Sequence, residues 1–128
     1  MVQICIIYFF AGLHKLQGDV WRNGTALYYV LNSNDFSPTI FNQYITKSLF
    51  IVKLLTWFTI FFQLTFPFFV WFKKSQKLYI LLGVFLHVGI FFMMKIDNFS
   101  FILISCYSIF LSNSIYNKYI DTKTINRI

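Results

Sequence analysis

The sequence predicts an all-α integral membrane protein. It should have about three full transmembrane helices, a shorter N-terminal apolar helix and an interfacial helical cap. Three observations carry that expectation. Of 128 residues, 58% are hydrophobic and only 12% charged, with mean hydropathy +0.65. A soluble domain carries about 25% charged residues, so this chain could not cover a water-facing surface. Long apolar runs occupy residues 49–72, 78–94 and 99–116. Finally, 11 Lys+Arg against 4 Asp+Glu give a net charge of +7, and the basic residues lie mostly between and beside those runs. That placement fits the positive flanks that orient helices in a bilayer, and not a nucleic-acid surface.

The first apolar run, residues 4–16, falls short of the roughly 20 residues a crossing needs. No basic start or cleavage site marks it as a signal peptide, so it is expected to remain in the protein. Residues 16–48 form the surface cap. Asn23-Gly24 signals a turn, Thr25 is placed to cap a short helix, and Pro38 breaks the chain again. Trp21, Tyr28, Tyr29, Phe36, Phe41 and Tyr44 suit a headgroup boundary. Run 49–72 is long enough to span. The links 73–77 and 95–98 are tight, so successive helices should be antiparallel. Lys73, Lys74, Lys77, Lys118, Lys123 and Arg127 outnumber Lys15, Arg22, Lys47 and Lys95, which places the first group in the cytoplasm and the cap outside.

Polar groups inside apolar runs are costly and therefore informative. His87 lies mid-run, with Gly83 four residues earlier on the same face. It reads either as one interhelical hydrogen bond or as a proton-handling, ligand-contacting group. Pro67 frees the backbone carbonyl of Gln63, giving a bend that a neighbour satisfies or a polar notch. Ser105, Ser108 and Ser112 form a stripe expected to pack against other helices. Lys15 ends the first run. It is either an anchor reaching to the interface or, if desolvated, a neutral amine able to act as a base. Tyr8, Ala11, Gly12 and Lys15 share a helix face, where the small pair leaves room for a ligand or another helix. Cys5 and Cys106 read as small buried hydrophobes without metal-site spacing, and no metal is expected.

Two blocks resemble the HTTM family, the membrane domain shared with vitamin K-dependent gamma-carboxylases. "AGLHKLQGDVWRNG" carries its Ala-Gly-x-x-Lys-Leu helix end, Trp and Gly at Ala11, Gly12, Lys15, Leu16, Trp21 and Gly24. "FPFFVWFKKSQKLYILLGVFLHVGI" carries Pro67, Lys73, Lys74, Gly83, His87, Gly89 and Ile90. The resemblance implies a single HTTM-like domain over residues 1–128, incomplete at its N-terminus. It makes Lys15 the candidate catalytic base toward a reduced quinone of the vitamin K type, whose oxygenation in the animal enzymes drives carboxylation of glutamate. His87 is the second catalytic candidate. Ala11, Gly12, Leu16, Trp21, Gly24, Gln63, Pro67 and Gly83 are motif or structural positions.

The chain departs from the family in starting almost at the motif, in having no glutamate, and in carrying only a short segment after the last run. A C-terminal piece, a split gene or a shrunken relative is therefore expected, inactive alone as a fragment and partnered by a missing N-terminal half or another membrane subunit. The "GTALYY" section resembles the bacterial SdpB-type branch, which implies instead a non-catalytic module assisting maturation, export or immunity of a secreted peptide. The expected location is a bacterial inner or plasma membrane.

Overall fold

A computed structural model of the chain describes residues 1–33, 40–96 and 98–110, and all the regular structure among them is helical. Helix α1 spans Val2–Gln17. It starts at Val2 because apolar β-branched residues accept helical geometry once packing supports them. It stops where Gly18 turns to extended backbone and donates its N–H to the Lys15 carbonyl at 3.1 Å. Ile4, Cys5, Tyr8 and Gly12 are its buried residues, a stripe at helical spacing.

The cap holds three short helices, α2 (Asp19–Arg22), α3 (Ala26–Asn32) and α4 (Ile40–Thr46). Gly24 takes φ +74 to turn the chain between α2 and α3, a backbone that other residues rarely adopt. Thr25 does occupy the N-cap of α3, but its hydroxyl bonds back to the Val20 carbonyl at 3.3 Å instead of capping forward. Its αR backbone points the side chain the other way.

Helices α5 (Leu49–Phe69) and α6 (Lys73–Met94) are long and apolar enough to cross a membrane. A seventh helix, α7, occupies Asn98–Phe110. Three full crossings were expected; these two meet the length, and α7 is shorter over its described part. The link expected at 73–77 is instead the first turn of α6, with the chain reversing at residues 70–72. Lysine, serine and glutamine are competent helix formers, so the helix outruns its apolar stretch. Pro38 and Phe36 in the cap, Ser112, and the basic Lys118, Lys123 and Arg127 lie outside the described residues.

The core forms where α1 lies antiparallel along α5. A Cβ at Gly12 would sit 2.8 Å from Leu64 Cδ2, and the Phe9 and Phe68 rings meet at 6.0 Å. Tyr8 packs on Phe66 at 4.6 Å. Phe62, Phe66, Val70, Ile80, Leu86, Tyr107 and Phe110 complete the buried cluster. The cap closes one end of this bundle. A Cβ at Gly24 would stand 3.0 Å from Lys53 Cγ and from the Trp57 indole nitrogen, and Leu27 N–H donates to Thr56 Oγ1 at 3.3 Å. The buried Asn42 amide donates to the carbonyls of Leu31, at 3.3 Å, and Met93, at 3.0 Å.

Candidate functional site

Two polar centres stand out, one around each of the two catalytic candidates. The first is Lys15, in the last turn of α1. Its Nζ lies 5.0 Å from the centroid of the Trp21 ring, a cation–π distance. Gly18 seats that indole, since a Cβ there would come within 3.1 Å of Trp21 Cδ1. Lys15 is half-buried, and desolvation holds its proton affinity below the ordinary lysine value. The small residues beside it do leave room, as expected, and a helix takes it: Leu64 of α5 fills the space over Gly12. Leu16 is half-buried on the same turn, and His14 is exposed.

The second centre ties three helices together. The Tyr8 hydroxyl is 2.6 Å from His87 Nε2 and is also hydrogen-bonded to the Tyr107 hydroxyl. All three side chains are buried. Tyr107 reaches Tyr8 by crossing Gly83, where a Cβ would stand 3.0 Å from Tyr107 Cε2 and closer still to its hydroxyl. Gly83 thus makes room for a tyrosine, and the expected close helix approach at His87 is real. The rings of Phe62 and Phe66 pack on Tyr8, and that of Phe99 on His87. His87 Nδ1 has no partner among the described residues.

The two centres are separate. Tyr8 and Lys15 are seven residues apart on one face of α1, about 10 Å along the axis. His87 therefore attends Tyr8, not Lys15. Gln63 keeps a buried amide oxygen without a partner among the described residues, and α5 continues past Pro67 to Phe69. The serine stripe differs from expectation. Ser105 and Ser108 are exposed, and Ser108 satisfies its hydroxyl on the Ser105 carbonyl at 2.6 Å. The inward side of α7 is Ser100, Tyr107 and Phe110. A hydroxyl able to bond its own helix needs no neighbour, and so the stripe can face outward. Tyr107 was not singled out in the sequence, although a tyrosine mid-run is as costly to bury unpaired as any serine.

Apolar helices around a small hydroxyl–imidazole cluster, closed at one end by a short-helix cap, define an all-helical domain with two helices long and apolar enough to cross a membrane. The model of the HTTM domain matches residues 1–114, and the chain belongs to the HTTM family, a membrane-domain family related to the gamma-carboxylases. A Bacillus subtilis (strain 168) relative, "Uncharacterized protein YitO", is 28% identical over 115 residues. The match covers 87% of this chain and 37% of that protein, so the chain spans little more than a third of its relative's length. No solved structure matches.

Proposed function

We propose that the chain is a portion of a multi-pass membrane protein in which Lys15 acts as a base toward the hydroxyl of a reduced, lipid-soluble quinone. Support for the bilayer comes from α5 and α6. Only 28% and 22% of their most apolar windows are buried inside the protein, unlike the core helix of a soluble domain. The outward residues include Phe50, Leu54, Phe61, Leu81, Phe85 and Phe92. A bacterial cytoplasmic membrane is the location this reading assigns, supported by the Bacillus relative.

The observation that carries the chemistry is the environment of Lys15: a half-buried amine on an indole face, with no carboxylate against it among the described residues. These residues fit a quinol in kind, offering a proton acceptor beside a flat apolar ring, but leave no space over Gly12. Such a group, when bound, supplies an acidic hydroxyl. Desolvation makes the amine easier to deprotonate beforehand than an exposed lysine. Nζ takes up the proton, and the Trp21 face then stabilises the resulting ammonium. His87 has no part in this step, because its Nε2 is engaged by Tyr8.

The test is a lysine-resolved NMR titration of the membrane-embedded chain, with Lys15→Arg to assign the resonance. Lys15 should lose its proton at lower pH than the exposed lysines; an ordinary titration would end the proposal. The linkage sign follows. Between the lowered folded value and the ordinary one, the unfolded chain holds more protons, so stability rises with pH through that window. Lys15→Met should flatten this slope.

A second reading is favoured by the filled space over Gly12 and by the Tyr8–His87–Tyr107 bonds, which satisfy one another. It is a non-catalytic module assisting a secreted peptide. Full biological activity of a normally inserted Lys15→Ala chain would select it over the base.

A further inference from the structure

The cations at the two ends of the bundle are treated differently. At the cap end, three of them have a partner for their charge. Lys15 lies on Trp21, Lys47 lies 5.5 Å from the Tyr44 ring centroid, and Arg22 pairs with Asp19. The Lys53 stem packs under Gly24. Lys95 caps the C-terminus of α6, where a positive charge complements the helix dipole.

At the other end, Lys73, Lys74 and Lys77 are exposed and make no hydrogen bond, ion pair or ring contact with any described residue. Among the described residues the sole acidic side chain is Asp19, which is far away and already paired. Helical spacing puts the three amines on one arc of about 100°. Lys73 and Lys77 are like charges at i, i+4, which is unfavourable. The three also stand at the positive end of the α6 dipole, which is unfavourable again. Nothing within the described chain offsets these costs. Immediately before them, Trp71 and Phe72 are 50% and 62% exposed, residue types that settle at a membrane–water boundary.

We infer that the turn between α5 and α6 is a docking surface for anionic phospholipid headgroups, with Lys73, Lys74 and Lys77 holding the phosphates while Trp71 and Phe72 sit at the acyl boundary. The charge complementarity names an anion, and the adjoining aromatics set it at headgroup depth. The inference rests on the bilayer reading alone and is independent of Lys15. It gives the positively charged turn a specific lipid partner as well as an orientation.

The experiment uses the full chain in detergent mixed with equal phosphatidylglycerol and phosphatidylcholine, with retained lipid counted by native mass spectrometry. Wild type should retain the anionic lipid preferentially. One lysine at an anionic surface is worth roughly fivefold, so Lys73→Gln/Lys74→Gln/Lys77→Gln should lower the preference on the order of 100-fold. Lys47→Gln/Lys95→Gln, which removes charge at the cap end, should leave it unchanged. No preference in wild type, or equal loss in both variants, overturns the inference. Displacement by inorganic phosphate as effective as by lipid also overturns it, by making the surface a simple anion site. Failure of the chain to float with vesicles would instead sink the bilayer reading, and an ordinary Lys15 titration would leave this surface untouched.

Discussion

The Tyr8–His87–Tyr107 centre and the Lys15–Trp21 end sit on the same face of α1, yet they solve opposite problems. The first buries three polar side chains and bonds them in a chain through Tyr8 across α1, α6 and α7. The second keeps a charged group half-buried against a ring, with water within reach on one side. Mutual satisfaction suits a lock; partial desolvation suits a group whose protonation changes. The difference predicts that substitutions at the first centre report on stability, while those at the second report on proton binding.

The largest effect is expected at Gly83. Any side chain there drives into Tyr107, so Gly83→Leu should destabilise by about 3 kcal/mol in an equilibrium unfolding assay in mixed micelles. A near-neutral result would mean that α7 does not pack as described. Next comes the hydroxyl chain. Tyr8→Phe strands both His87 Nε2 and Tyr107, and should cost about 2 kcal/mol, whereas Tyr107→Phe removes one terminal bond and should cost about 1 kcal/mol. Reversal of that order would break the assignment of Tyr8 as the central member. The smallest effect belongs to the outward serines: Ser105→Ala with Ser108→Ala should change stability by less than about 0.5 kcal/mol.

How far these features were readable varies with their physics. Apolar runs, the Gly24 turn and the shared face of Tyr8, Ala11, Gly12 and Lys15 follow from period and backbone sterics, which are local. The family motif located Lys15 and Trp21, and the fold sets them against each other. His87 could be recognised as costly, but not its partner Tyr8, 79 residues away, nor the Tyr107 that Tyr8 also bonds from 99 residues away. The serine stripe misled for a related reason: spacing reveals that residues share a face, not which way it points. The start of α6 was missed because hydropathy marks where a helix is apolar, whereas hydrogen bonding continues through Lys73–Met94 regardless.

The Asn42 side chain has a mechanical consequence. One carboxamide clasps the last carbonyls of a cap helix and of a long helix at the same time. Any sliding or swivelling of α6 along its axis must therefore drag α4 with it or tear the clasp. Motion in the apolar bundle is in this way geared to the outer rim, and a probe attached near Tyr44 would register it.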